Sequence, residues 1–282
     1  MTPDPCPGKG LGMTSETCRL KHEGEEDVAQ HECDVERFLR GEITSLEMKS
    51  RRVPRGIYEQ RRDGTYMVRV RVPGGELGAE KARVLAGVAS RYGGGTLHVT
   101  TRQDLQLHDV NMADTPAVLR ELLDGGLSSR GGGGNTVRNI TACPYAGMCP
   151  AERFDVRPAV QAVTEYLMGQ PGSYTLPRKY KIAFSGCGAD CALAEVHDLG
   201  LVASVRDGVT GFRVYAGGGM GAQSRVGDLM EEWISVKEVL RVAEAIRRLF
   251  DRMGDRSNRQ RARLRFAVER VGADAFRTLF RQ

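Results

Sequence analysis

Four cysteines between Cys143 and Cys191 constrain this chain more than any other feature. They fall as two pairs, Cys143 and Cys149 in TACPYAGMC (C-x5-C), then Cys187 and Cys191 in SGCGADC (C-x3-C). Four thiolates converging from separate loops are the usual ligand set of a 4Fe-4S cube. Structural zinc also takes four thiolates, but short loops with two to four residues between paired ligands are its norm, so the first pair fits it poorly. Pro144, Gly147 and Pro150 keep the first pair out of regular helix, and Gly186 and Gly188 do the same around Cys187, bringing backbone close to sulfur. Two plainer readings compete. Free cysteines are often buried as small hydrophobes, but a setting of Gly and Pro packs poorly and suits ligation better. Disulfides belong to oxidising compartments, and no charged-then-apolar signal layout opens the sequence.

The rest of the composition narrows the class. In 282 residues, 40% are hydrophobic, enough for one large core or two small ones. No apolar run approaches the ~20 residues of a membrane span, so a soluble, cytoplasmic protein is expected. The net charge of +5, from 41 Lys and Arg against 36 Asp and Glu, is mild for a nucleic-acid binder. With a single Trp and no aromatic-basic interleaving, a base-stacking platform is not expected, and a small anion is the better partner.

In chain order, residues 1–50 read as a polar, extended or partly helical arm. Cys18, His22, His31 and Cys33 match no common zinc-finger spacing there, and a solvated tail is the expectation. Cys6 is unassigned. The segment YMVRVRV alternates with period two, setting Tyr66, Val68, Val70 and Val72 on one face and Met67, Arg69 and Arg71 on the other. A helix with Val84, Leu85, Val88 and Ala89 follows, then strands TLHVTT and LQLHDV, then a helix capped by Asp114 or Thr115 with Val118, Leu119, Leu122 and Leu123 as its stripe. That order is most of a ferredoxin-like α+β unit over 51–125. His98, Thr100, Arg102 and Gln106 add a run of donors that a surface strand does not need.

Residues 125–135, GGLSSRGGGGN, read as a flexible connection to a second domain over 126–282. There Pro158 opens a helix, and LPRKYKIAFSG is a strand with Lys179 and Lys181 on one face beside Arg178, a second anion-binding cluster. LGLVASV and FRVYAGG form a hairpin turning at Asp207-Gly208. AGGGMGA loosely matches a dinucleotide loop, a reading set aside because no strand is expected to follow it. Ser235 and Glu238 form a capping box for a long helix, and Arg256 to Arg265 read as a solvated basic helix face.

The two cysteine pairs, with LPRKYK before the second and T-x-R-x-x-x-Q in the first domain, resemble the sulfite and nitrite reductases that couple siroheme to a 4Fe-4S cluster. The resemblance covers about residues 51–282. It implies an α+β fold, a ferredoxin-like domain followed by a mixed α/β siroheme and 4Fe-4S domain. It also implies that Cys143, Cys149, Cys187 and Cys191 ligate the cube and that Cys191 bridges it to siroheme iron. By the same resemblance His98, Thr100, Arg102, Gln106, Asn139 and Arg178 hold siroheme, while Arg69, Arg138, Lys179 and Lys181 bind the substrate oxyanion and deliver protons. Planar guanidinium forks suit the many carboxylates of that macrocycle.

The implied reaction is six-electron reduction of sulfite to sulfide or nitrite to ammonia, fed by ferredoxin or a flavoprotein. A non-catalytic electron-transfer or cofactor-carrying subunit is the alternative. Many members of the family are about twice this length and built of two similar halves. A homodimer, or a heteromer with a second half, is therefore expected.

Overall fold

The computed structural model describes residues 15–221 and 223–282, with side chains from His22 onward. Its fold is α+β. The first sheet is antiparallel, β1 (Ile57–Glu59), β2 (Thr65–Val70), β3 (Leu97–Val99) and β4 (Leu105–Asn111) lying in the order β1-β2-β4-β3. Alternation in β2 sends Tyr66, Val68, Val70 and Val72 into one core with Leu85, Val88 and Leu107. Arg69 and Arg71 leave by the opposite face. Behind the sheet lie α3 (Ala79–Tyr92) and α4 (Thr115–Asp124), whose Val118, Leu119 and Leu122 are buried as the stripe requires. β1 was not foreseen, because three residues are too few to show a period.

The arm before residue 50 is helical from Ser15, within the expected extended or partly helical reading, but it is packed rather than solvated. α1 (Ser15–Leu39) buries Val28, His31 and Val35, and α2 (Ser45–Arg52), opened by a Thr44–Glu47 capping box, buries Met48. The stripe on α1 is narrow and has an imidazole in its middle, which disguises it as polar sequence. The Thr115 hydroxyl donates to Met112 O at 2.8 Å, so His31 Nε2–H donates to Thr115 Oγ1 at 2.9 Å. Burial pushes His31 down to about 3, so the ring is neutral. His31 is buried while Cys33 is exposed, so the two do not share a site; Cys6 and the Cys18 side chain lie outside the described residues.

The glycine-rich connection is a packed seam. Gly131, Gly132 and Gly133 are buried, and Thr136 Oγ1 lies 2.8 Å from both Gly131 O and Gly133 O. Arg71, wholly buried, is compensated by Val137 O at 2.9 Å, Arg138 O at 3.1 Å and Arg130 O at 3.2 Å. A Cβ on Gly133 would lie 2.1 Å from Val53 O and 2.5 Å from Tyr58 Oη. Gly133→Ala is therefore expected to destabilise the chain by ~3 kcal/mol, read as a lowered urea midpoint at unchanged m. An unchanged midpoint would mean that the seam is loose.

The second sheet runs β5 (Thr141–Ala142), β6 (Ile182–Ser185), β7 (Leu199–Arg206), β8 (Val209–Ala216) and β9 (Asp228–Ser235), neighbours in that order. β5, β6 and β7 are parallel; β7–β8 and β8–β9 are antiparallel. The β7–β8 hairpin turns at Asp207 (φ 51°) and Gly208 (φ 76°), the left-handed pair of a type I′ turn. A strand does follow the AGGGMGA run, contrary to expectation. β9 pairs antiparallel to β8 with no helix between them, so topology excludes a dinucleotide loop for a different reason than the one anticipated. The glycines allow close approach instead: a Cβ on Gly218 would sit 2.6 Å from both Glu195 O and His197 O.

α5 (Arg157–Met168), α6 (Val239–Met253), α7 (Leu264–Val271) and α8 (Ala273–Arg281) complete the second core around Tyr180, Phe184, Phe212 and Phe250. The Ser235–Glu238 capping box precedes α6 as expected. The basic stretch 256–265 is not a solvated helix face: it is loop as far as Arg263, and Arg263 is buried against Asp198 at 3.0 and 2.8 Å. Among the described residues, no helix is long and apolar enough to cross a membrane.

Candidate functional site

Parallel pairing of β5 with β6 brings the two cysteine pairs together. Ala142 is in register with Phe184, so Cys143 and Cys187 leave adjoining strands at their carboxyl ends, and Cys143 N donates to Phe184 O at 2.9 Å. Cys143 and Cys187 are buried, Cys149 half-buried and Cys191 exposed. Burial pushes the Cys143 thiol up, and Cys191, Cys187 and Cys149 each push it further, so all three lie within reach of the Cys143 sulfur. Among the described residues, no three His, Cys, Asp or Glu side chains close around a point tightly enough for a single metal ion. A cube makes a different demand, one thiolate per iron over a wider span than a single ion allows.

The T-x-R-x-x-x-Q segment is the β3–β4 turn and the strand after it. Thr100 Oγ1 accepts from Arg102 N at 3.2 Å and Asp104 N at 3.0 Å, closing the turn. Arg102 directs three donors to this chain itself: Asn139 O at 3.0 Å, Ile182 O at 2.7 Å and His197 Nε2 at 2.6 Å. Asn139 is buried and donates to Val72 O at 2.8 Å and Arg102 O at 3.1 Å. Gln106 pairs with His98 on one side and Arg69 on the other, and with its amide turned so that Oε1 faces Arg69 it accepts at 3.2 and 2.9 Å. His98 is exposed. Within this group Arg102 and Asn139 fasten the two sheets together, Thr100 closes the turn that carries Arg102, and Gln106 aims Arg69.

Arg69 Nη1 and Arg138 Nη1 each donate to Gly132 O at 3.0 Å, so the seam carbonyl holds both guanidiniums together. Arg138 and Lys179 line a cleft of about 530 Å³ with Lys49, Arg61, Arg178 and Arg259; its one acid among the described residues, Glu59, is paired with Arg52. Arg69 and Lys181 are not in that lining. Burial lowers Lys179, helped by Arg263, Arg138 and Arg178. Burial brings Lys181 down to about 8, helped by Arg102, Arg263 and Lys179. The four cations expected to act together thus form a chain, Arg69 meeting Arg138 at Gly132 O, Arg138 acting on Lys179 and Lys179 on Lys181. The cleft that Arg138 and Lys179 line has a surplus of positive charge suited to an anion.

Residues 133–282 match the family described as nitrite and sulphite reductase 4Fe-4S domain. The chain belongs to the nitrite and sulfite reductase family. Residues 58–125 match the nitrite/sulfite reductase ferredoxin-like half domain. The ferredoxin–nitrite reductase of Leptolyngbya laminosa is 36% identical over 76% of this chain and 43% of its own length. A ferredoxin-dependent assimilatory nitrite reductase from Haloferax mediterranei is 33% identical over 79% of this chain and 41% of its own. The structure of the Mycobacterium tuberculosis NirA protein superposes with a TM-score of 0.79 at 26% identity, covering 94% of this chain and 52% of that one. The chain therefore spans about half the length of these relatives or somewhat less.

Three residues of this family member's site were missed in the sequence. Gln103 (φ 58°) clamps Ala142 beside Cys143, donating to its carbonyl at 2.9 Å and accepting from its amide at 3.0 Å. Asp104 is a buried carboxyl among Arg71, Arg69, Arg102 and Arg138, and burial still lifts it to about 6. Asp198, wholly buried, accepts from Lys181 N at 2.9 Å while gripping Arg263. None of the three carries a spacing signal. Asp198→Asn weakens the grip on Arg263 and is expected to cost ~3 kcal/mol by leaving a buried guanidinium without its counter-charge, measured by chemical unfolding.

Proposed function

We propose that this chain forms the catalytic unit of a siroheme- and 4Fe-4S-dependent reductase that takes nitrite or sulfite through six electrons. What supports the reading is that Arg69 and Arg138 meet at Gly132 O, that Arg138 acts on Lys179 and Lys179 on Lys181, and that the two cysteine pairs leave adjoining strands of the same chain. Cys143, Cys149, Cys187 and Cys191 would hold the cube, and the cationic cleft of Arg138, Arg178 and Lys179 suits the carboxylates of siroheme. When bound, the two groups supply single electrons and an open iron for the anion. Arg69 and Arg138 fix the anion's charge, and Lys179 and Lys181 carry protons to the oxygens that leave as water. Nitrite, the anion in the relatives' names, is the first substrate to assay and sulfite the second; ferredoxin, also in those names, is the first donor.

The topology also supports a composite site. Lys179 and Lys181 precede β6 and Cys187 follows it, and four residues of strand put ~13 Å between the two ends. A second half, either another copy or a different chain, would set the cysteine end of one chain against the cation end of the other. A Cys191→Ser chain mixed with a Lys181→Met chain should recover reduction of nitrite with reduced ferredoxin, because one composite site then carries no lesion. Failure to recover in mixed dimers, or full activity from a monomer in light scattering, overturns the composite site. Siroheme bands in the spectrum with no turnover of either anion would favour a cofactor-carrying subunit.

A further inference from the structure

His197 belongs to none of the matched motifs, yet it bridges two of them. Its Nε2 lies 2.6 Å from Arg102 Nη1 and its Nδ1 lies 2.6 Å from Leu193 O. A guanidinium can only donate, so Nε2 is the acceptor, and Nδ1 carries the proton and donates to the carbonyl. The tautomer is fixed by its two partners.

The loop that receives this bond needs restraint. Between Cys187 and Val196 two residues other than glycine are left-handed, Asp190 (φ 47°) and Leu193 (φ 52°). Asp tolerates that conformation; Leu does so at a cost of order 1 kcal/mol or more, and it persists only where surroundings over-determine it. Asp190 braces the loop from within, accepting from the Ser185 hydroxyl, from Ala194 N at 2.7 Å and from Glu195 N at 3.2 Å. Leu193 itself is 60% exposed, so packing does not hold it. Its carbonyl is held by Val196 N at 3.2 Å and by His197.

We infer that His197 is a positioning residue: it locks the loop bearing Cys187 and Cys191 to Arg102, and through Arg102 to Asn139 and Ile182, the backbone leading into both cysteine pairs. The loop geometry would then be set before any cluster arrives, and the two pairs would be held at a fixed separation from the β3–β4 turn. This rests on the reading that the loop ligates a cube, but the lock itself is a property of the protein without metal.

The test uses the whole 282-residue chain, first metal-free and then reconstituted anaerobically with iron and sulfide. In the metal-free chain His197→Phe should speed amide exchange over residues 188–196 by on the order of tenfold, with α6 and α7 at parent rates. His197→Gln, whose amide can accept from Arg102 and donate to Leu193 O, should stay within about threefold of the parent. After reconstitution the Phe variant should lose iron several-fold faster than the Gln variant. Parent exchange rates in the Phe variant, or acceleration spread evenly over the whole chain in both variants, overturns the lock. A parent chain that takes up no iron while the exchange contrast persists would sink the cube and leave the lock standing.

Discussion

Cys191→Ser is expected to abolish the broad iron-sulfur absorbance of the reconstituted protein while leaving the metal-free fold intact. The two halves of that expectation come from different observations. Cys191 is exposed and contributes little packing, so replacing its sulfur should change unfolding free energy by less than about 0.5 kcal/mol. Its sulfur nevertheless lies in the field of Cys143, and a cube missing one thiolate loses an iron corner. Cys143→Ser should remove the same absorbance at a larger folding cost, because that site is buried at 5% exposure and a hydroxyl is a poorer fit among apolar neighbours. A variant with all four cysteines changed to serine that still held four irons after anaerobic purification would end the assignment.

The cysteine pairs drew attention because ligation demands a spacing and a Gly- and Pro-rich setting, both written locally, and the pairing of β5 with β6 puts Cys143 and Cys187 on adjoining strands. Strand β2 and helices α3, α4 and α6 were legible because burial of one face imposes a period. What failed has a common cause. α1 hides its stripe because it buries a neutral His31 where an apolar residue would be expected, and only the partner Thr115, far along the chain, makes that tolerable. The glycine seam reads as a linker because close backbone approach and flexibility call for the same residue; Val53 O and Tyr58 decide between them. Arg102 and Asn139 stand where the family resemblance puts cofactor ligands, but in the fold several of their donors close the gap between the sheets. The role of Arg263 depends on Asp198, which no periodicity could pair with it.

Lys181→Met should separate function from stability more sharply than any other substitution. In the fold, burial together with Arg102, Arg263 and Lys179 holds the ammonium at about 8 against an ordinary value of 10.5. Between those two values the unfolded chain binds a proton that the folded chain does not, so stability rises with pH across that window; below about 8 the cost of the buried charge is fully present. Methionine keeps the length of the side chain and removes the charge. At pH 7 the metal-free variant should therefore be more stable than the parent, by on the order of 1 to 2 kcal/mol once the partial exposure of the ammonium is allowed for, with the difference shrinking as pH rises towards 10.5. Turnover should move the other way, falling on the order of a hundredfold with nitrite and with sulfite at near-parent siroheme content, because an anion losing oxygen as water loses both a counter-charge and a proton source. In the parent, kcat/KM should decline as pH climbs through about 8, since it reports the free enzyme, and the limb in kcat should lie higher because a bound anion holds the proton on Lys181. Parent turnover with both anions would remove Lys181 from the site; a loss of stability at pH 7 would show that its ammonium has a partner in the fold.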